Sequence, residues 1–501
     1  MELFSTNFGT IDWIIVCVYI CIPLLIGLYL RKYISSSGDF IVAGRNLRLF
    51  LAVATLTGTE LGLVTIMYSA EAGFINGFSA FHIGVIEGAA VLAIGLTGFI
   101  VYKLRESKVM TIPEYYEKRY NQKVRVVGGI VLALGGILNM GLFLQAGARF
   151  MMGVTGVGNP AMLKIFMTIM LVMVLIYTVA GGMVSLAIND FLQYIVLSLG
   201  LLVGSIFVIR EIGWSTLFTI PENAEAAFTF NPVSEQSGFG LLYVIFMVMV
   251  SLAAGALWQT ATMRALAAKS PKVAKNLYAC ASLSFLMRKV IPMLWGVGAF
   301  LFLATKAPQL LEQFQSGGYS TQYGMPVFIS KIIPSGLLGF IAAGMFAAFM
   351  STHDSYLLSW SSVITQDIIS PLRGGLADTT RLRINRITIV VIGLFLLIWG
   401  LWFEAPVSLW NYMAVTGTIY LSGAFTVIVC GLYWKKASST GAMIALISGL
   451  FAIAGLGPWT KTGIWYLSDK FIGVSTFILC AAGMIIGSLA FPDIAVKKEV
   501  Q

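Results

Sequence analysis

Apolar residues fill this chain in long, nearly unbroken runs separated by short polar stretches. Thirteen runs stand out, at roughly 12–30, 48–69, 78–103, 125–152, 162–180, 186–209, 238–263, 277–305, 333–367, 386–403, 407–434, 440–457 and 470–491. Each approaches or exceeds the ~20 residues a helix needs to cross a bilayer's hydrocarbon core. The ~10-residue alternation of membrane β-barrel strands is missing. The pattern therefore predicts an all-α polytopic membrane protein, a single membrane domain over 1–501. The first run follows MELFSTNFGTID, which holds no Lys or Arg, so it is expected to stay as a helix rather than be cleaved as a signal peptide.

The loops alternate in charge. Arg31, Lys32, Arg45 and Arg48 follow the first run, and Lys103, Arg105, Lys108, Lys118, Arg119, Lys123 and Arg125 the third. Arg264, Lys269, Lys272 and Lys275 follow the seventh, Arg373, Arg381, Arg383 and Arg386 the ninth, and Lys435 and Lys436 the eleventh. The tail ends in KKEVQ, and the intervening loops are poor in basic residues. The positive-inside rule puts the N-terminus outside and the C-terminus inside, as an odd number of spans requires. The net charge of +10 thus reads as topology, and no compact basic domain points to nucleic acid.

Polar residues inside the runs carry the functional signal. The second run holds Thr55, Thr57, Gly58, Thr59, Glu60 and Gly62 at its middle. That density of glycine and threonine predicts a broken helix, tolerated at membrane depth only where it lines a cavity or meets an ion. Tight Gly/Thr helix packing would explain the glycines but not the glutamate. The seventh run repeats the theme, with Ala253–Ala256 ahead of Trp258, Gln259, Thr260 and Thr262. Two interrupted helices five spans apart fit an inverted-repeat architecture with a midplane site. The repeats would cover 48–209 and 238–434, with an extra N-terminal helix at 12–30 and C-terminal helices at 440–491.

In the ninth run, AAFMSTHDSYLLSWSS, Ala348, Ser351, Thr352 and Ser355 share one helical face. Hydroxyls at that spacing suit a hard monovalent cation, although Ser and Thr also bond back to the carbonyl four residues earlier. His353 and Asp354 point about 100° apart on a helix and form no catalytic dyad. Asp190 is a second buried acid, or else a cap on the sixth span. Glu87 is a third, one to two turns from His82.

The five cysteines all lie in apolar runs, and two histidines cannot build a metal quartet with them. Phosphate loops, nucleotide fingerprints and nucleophile elbows are missing, so the chain is not expected to be an enzyme.

Four stretches together resemble the sodium/solute symporter family, relatives of the sodium–galactose, proline, sialic acid and choline transporters. They are MTIPEYYEKRYN, YTVAGGMVSLAINDFLQ (with Asn189 where the family usually has threonine), WQTATMRALAAKS and AAFMSTHDSYLLSWSSVITQDI. The resemblance covers nearly the whole chain. It implies a LeuT-like five-plus-five inverted repeat of about 13 helices in the plasma (inner) membrane. It also implies sodium-coupled import of a small polar solute such as an amino acid, amine or sugar, with Na⁺ as coupling ion. A proton-coupled carrier or a solute sensor of the same fold is the alternative. Carried over, the sodium ligands would be the carbonyls of Ala54, Thr57 and Ala348 and the hydroxyls of Ser351 and Thr352. A second cation in some members implies Asp190, Asp354 and Ser355 here, together with Ser351. The solute would meet Glu60, His82, Glu87, Gln145, Trp258, Gln259, Trp410 and Tyr412. Leu56 falls where choline transporters carry a cage tryptophan, and two acids near the cavity lead one to expect an amine or a polyol.

Overall fold

The computed structural model describes residues 3–30, 43–218, 230–234, 237–403 and 408–493. Arg31, Lys32, the middle of the long 210–238 loop and the basic tail lie outside them. The described chain is helical throughout apart from turns and one isolated bridge. Its main helices are α1 (Thr10–Leu30), α2 (Leu49–Glu60), α3 (Leu63–Asn76), α4 (Phe81–Thr97), α5 (Ile112–Arg119), α6 (Gln122–Met140), α7 (Phe143–Thr155) and α8 (Pro160–Ile212). They continue with α9 (Leu241–Leu257), α10 (Gln259–Ala267), α11 (Pro271–Lys306), α12 (Leu337–Val363), α13 (Asp378–Trp402), α14 (Leu409–Tyr433), α15 (Ser439–Ser448) and α16 (Asp469–Ala490).

Among the described residues, ten helical stretches are long and apolar enough to cross a membrane, joined by three shorter apolar ones. Each of the thirteen apolar runs falls on helix. The boundaries differ where backbone chemistry intervenes. The third run ends early because Gly98 turns left-handed at φ 73°. The fourth divides at Gly141 into α6 and α7. The fifth and sixth share α8, which at 53 residues would reach about 80 Å if straight. Its two ends serve different neighbours: Met167 and Leu175 meet Gly400 and Gly393 of α13, while Gly200 and Gly204 face α12 and α11.

Helix starts follow ordinary capping chemistry. Asn121, Ser270 and Ser408 each accept a backbone N–H from the first turn of α6, α11 and α14. The start of α12 is capped from another helix: the Asp12 carboxylate of α1 accepts N–H groups of Gly336 at 2.7 Å and Gly339 at 2.5 Å. This ties the extra N-terminal helix to the most buried span, since 89% of the apolar window in Leu337–Leu372 is shielded.

Small residues set the close crossings. A Cβ on Gly73 would lie 2.1 Å from the Met293 carbonyl oxygen, and one on Gly296 would lie 1.9 Å from that of Ala70, so α3 and α11 cross backbone to backbone. Both expected breaks are present. Helix stops at Leu61 (φ −88°, ψ 55°) and restarts after Gly62, and Trp258 is extended (φ −64°, ψ 121°) between α9 and α10. The ends of α2 and α10 away from the breaks are stitched together: Leu47 N donates to Ala267 O at 3.1 Å and Lys269 N to Leu47 O at 2.9 Å.

Candidate functional site

The break after α2 is pressed against two helices. A Cβ on Gly58 would lie 2.6 Å from the Asp190 carbonyl oxygen, and one on Gly62 only 1.9 Å from the Thr352 hydroxyl oxygen. Glycine at both positions lets α2 wedge between α8 and α12. The threonines of that wedge then reach a fully buried carboxylate. Asp190 accepts hydrogen bonds from Thr55 Oγ1 at 2.6 Å, from Thr59 Oγ1 at 2.9 Å and from Ser351 Oγ.

A cation completes this ring. The sequence reading groups Arg264 with the loop residues that set topology; the structure instead buries it fully on α10. Its Nη2 donates to Asp190 Oδ2 at 3.0 Å, to Thr59 Oγ1 at 2.6 Å and to Ser355 Oγ at 2.6 Å. Charge demands this arrangement, because an unpaired guanidinium or carboxylate at that depth would be strongly destabilising. Asp354, on the same helix as Ser355, accepts from Ser355 Oγ at 3.3 Å.

Of the five sodium candidates, Ser351 meets this ring at Asp190 and Thr352 approaches it at the Thr59 carbonyl. Thr352 Oγ1 donates to Ala348 O at 2.9 Å, the ordinary backbone bond four residues back, and lies 3.4 Å from Thr59 O. Thr57 O accepts the N–H of Leu61 at 2.9 Å, and Ala54 is buried one turn earlier on α2. Ser351 turns to Asp190.

Directly beside the ring is a cavity of about 100 Å³ whose walls include Thr59, Glu60, Glu87, Trp258, Thr352 and Trp410. Four solute candidates therefore line it: Glu60, Glu87, Trp258 and Trp410. The other four are engaged elsewhere or lie off its wall. Gln145 Nε2 donates to the carbonyls of Gly400 at 2.6 Å and Phe403 at 2.8 Å, closing the end of α13. The Tyr412 hydroxyl donates to Leu138 O at 2.5 Å. His82 bonds Ser79 O and packs on Phe239 and Tyr243. Gln259, fully buried at the start of α10, is outside the lining.

The acids do not face the cavity alone. Arg288 Nη1 donates to Glu60 Oε2 at 2.8 Å and to Glu60 O at 2.5 Å, and Nη2 pairs with Glu87 Oε1. Lys289 Nζ lies 3.2 Å from Glu87 Oε2, donates to the Tyr68 hydroxyl at 2.9 Å and sits 3.9 Å above the Trp410 ring. Thr260 Oγ1 donates to Glu60 Oε1 at 2.9 Å across the two breaks. Two carboxylates and two cations leave the cluster neutral, so the two acids from which an amine or a polyol was expected are each paired with a cation. Arg288 and Lys289 escaped the sequence reading although the signal was present: MRK lies inside the eighth apolar run, and charge at that depth marks a site.

Tyr68 and Trp410 also line a second cavity of about 230 Å³, walled on its far side by Glu71, Asn76, Asp469 and Lys470. Their rings pack with centroids 4.8 Å apart, and Trp410 Nε1 donates to the Tyr243 hydroxyl at 2.6 Å. The aromatic pair thus forms the partition between the two cavities.

Known proteins match this chain over nearly all its length. The profile of the sodium:solute symporter family matches residues 40–449. The sodium/sialic acid symporter NanT of Aliivibrio fischeri is 22% identical over 92% of this chain and 90% of its own. The osmoregulated proline transporter OpuE of Bacillus subtilis is 22% identical over 94% and 93%. Among solved structures, the substrate-bound outward-open state of a Na⁺-coupled sialic acid symporter superposes with TM-score 0.78 at 20% identity, covering 97% of this chain and 98% of that one. Mhp1, a nucleobase-cation-symport-1 transporter in a closed conformation, superposes with TM-score 0.50 at 13% identity over 91% and 96%. The fold is that of the LeuT-like transporters, in a multi-pass membrane protein.

Proposed function

The chain belongs to the sodium:solute symporter family, and from that premise we propose that it couples the Na⁺ gradient to import of a small polar solute across the plasma membrane. One observation carries the reading: the polar ring and the solute cavity share a wall. Thr59 and Thr352 belong to both, and Glu60 follows Thr59 directly at the break. An ion that draws Thr59 and Thr352 together sets the position of Glu60, so ion and solute each raise the other's affinity.

The proposed sodium ligands are the carbonyls of Ala54, Thr57 and Ala348 and the hydroxyls of Ser351 and Thr352. The gathering of Ala348 O, Thr352 Oγ1 and Thr59 O supports them. The solute binds in the cavity beneath the Tyr68–Trp410 partition, against the four-charge cluster. A neutral cluster with aromatic walls favours sugars, polyols and zwitterions over bare anions or amines, consistent with relatives named for glucose, myo-inositol and proline. The two proposed inverted repeats are α2–α8 and α9–α14, each beginning with its own broken helix. The proposed orientation puts the Leu47–Ala268 stitch at the cytoplasmic end and the larger cavity outside.

The test is reconstitution in liposomes with labelled glucose, myo-inositol, proline and sialic acid, with and without an inward Na⁺ gradient. Uptake of at least one that collapses when potassium replaces sodium is expected. Uptake indifferent to Na⁺, or driven only by a proton gradient, would overturn the proposal.

A further inference from the structure

The wall of the solute cavity holds an amide outside the charge cluster. Asn139 stands near the end of α6, just before the chain divides at Gly141, and is only 2% exposed. Its Nδ2 donates to two oxygens of α14, Met413 O and Thr416 Oγ1, each at 2.9 Å. Chemistry fixes which way this amide faces. Met413 O carries no proton, and Thr416 gives its own to Tyr412 O at 2.7 Å, so both oxygens accept from Asn139. A turned amide would set its carbonyl oxygen against two acceptors. Oδ1 is therefore the outstanding end, buried and accepting no hydrogen bond among the described residues. An acceptor left bare at such depth is costly, and a donor on the solute would relieve that cost.

A donor with the opposite need lines the same cavity. The Tyr356 hydroxyl accepts Trp258 Nε1 at 2.8 Å, and its own proton meets no acceptor among the described residues. Gly417 of α14 keeps the two groups close: a Cβ there would lie 3.8 Å from Trp258 Cζ3 and 3.9 Å from Asn139 Nδ2. The wall around them, with Ala254, Gly255, Met413 and Ala414, offers no other polar side chain. Gln145, the amide that the sequence singles out on this stretch, is bound to backbone carbonyls instead.

We propose that Asn139 and Tyr356 read one hydroxyl of the solute, its proton going to Asn139 Oδ1 and its oxygen accepting from Tyr356. The inference rests on the sodium-symport reading above and narrows its solute to a sugar or polyol. A hydroxyl donates and accepts at once. A solute ammonium serves Asn139 but cannot accept from Tyr356. A solute carboxylate accepts from Tyr356 but is set against Oδ1. The remaining hydroxyls meet Glu60, Glu87, Arg288 and Lys289 on the far wall, where acceptors and donors are both on hand.

The test is uptake in proteoliposomes of labelled glucose, myo-inositol, proline and sialic acid under an inward Na⁺ gradient. Deoxy analogues of glucose and myo-inositol, each hydroxyl replaced in turn by hydrogen, serve as competitors on wild type, Asn139→Ala and Tyr356→Phe. Wild type is expected to take up glucose or myo-inositol and to lose affinity roughly 5- to 150-fold for one deoxy analogue. Asn139→Ala and Tyr356→Phe should bind the parent solute more weakly, and the penalty at that one position should shrink in both while the other positions keep theirs. A residue that only braced α6 against α14 would weaken every analogue alike. Sodium-driven uptake of proline or sialic acid with neither glucose nor myo-inositol would overturn the inference and leave sodium symport intact. So would a wild-type deoxy series in which no position stands out, and neither result depends on a variant folding. An undiminished penalty in a folded Asn139→Ala would overturn it as well. Uptake of none of the four, or uptake indifferent to sodium, would sink the symport reading and the inference with it.

Discussion

Gly62→Ala probes the proposed ion site with one added carbon. The backbone at Gly62, φ −80° and ψ 160°, is open to any residue, so alanine brings no conformational strain there. The added Cβ would lie 1.9 Å from Thr352 Oγ1, 3.0 Å from Thr352 Cβ and 3.3 Å from Cγ2. No such approach survives, so either Thr352 rotates or α2 withdraws from α12. Rotation breaks the 2.9 Å bond to Ala348 O and removes the hydroxyl from its place near Thr59 O, at roughly 0.5–1.5 kcal/mol. Withdrawal resembles overpacking of a filled core, at about 1–3 kcal/mol. Both escapes displace a proposed sodium ligand, so sodium affinity bears the loss. At 1.4 kcal/mol per tenfold, half-saturation by Na⁺ should rise roughly 2- to 150-fold across the two escapes. The assay is radiolabelled sodium binding, with thermal stability in detergent measured in parallel. The double variant Gly62→Ala/Thr352→Ala should bind sodium like Thr352→Ala alone, because the clashing atom is gone. Wild-type sodium affinity in Gly62→Ala, or strict additivity in the double variant, would refute the placement of Thr352 at the ion.

Three further outcomes test other parts of the site. Lys289→Met removes one of the two cations on Glu87, Arg288 remaining, and should destabilise the protein by about 1–3 kcal/mol, whereas Glu87→Gln/Lys289→Met should lose less than the sum of the two single changes, read by detergent unfolding of all three variants. Gln145→Ala forfeits two hydrogen bonds to the end of α13 and should lower stability by about 1–3 kcal/mol while leaving solute half-saturation at its wild-type value, a split that separates a structural glutamine from a solute ligand. Gly296→Ala drives a methyl into the Ala70 carbonyl and should sharply reduce the yield of folded protein, whereas Gly200→Ala, whose Cβ would meet nothing nearer than Ile341 Cα at 3.8 Å, should not.

Much of the fold was legible because the bilayer imposes length and apolarity on every span, and each apolar run fell on helix. The two breaks were legible for a different reason. Gly58, Gly62 and the threonines at 55, 57 and 59 are poor helix formers where a helix is otherwise obligatory. The face of α12 carrying Ala348, Ser351, Thr352 and Ser355 followed from helical spacing alone. Partnership across the bundle was not legible. Arg264 stands five residues before Lys269, and by distance along the chain it belongs with the loop; only the fold carries it up to Asp190. Gln145 and Tyr412 have the same polarity as true cavity residues, yet both spend it on backbone carbonyls freed at a neighbouring helix end or kink. One-dimensional spacing says which face a side chain shares and not what that face meets.

Charge balance in the two clusters has a consequence for energetics. Asp190 with Arg264 sums to zero, and so do Glu60 and Glu87 with Arg288 and Lys289. The clusters therefore add no net charge in the empty carrier. A neutral or zwitterionic solute changes nothing in that sum, and a bound sodium ion adds one positive charge. A charge crossing the whole field is worth about 2.3 kcal/mol per 100 mV. An inside-negative potential should thus accelerate the loaded carrier's inward step, as the ion's charge crosses, and leave the empty return nearly indifferent. Imposing that potential in proteoliposomes should raise sodium-driven uptake of a neutral solute. Uptake unmoved by voltage would mean that a charge in these clusters moves against the ion, and Arg264, carried on α10, is the group to suspect.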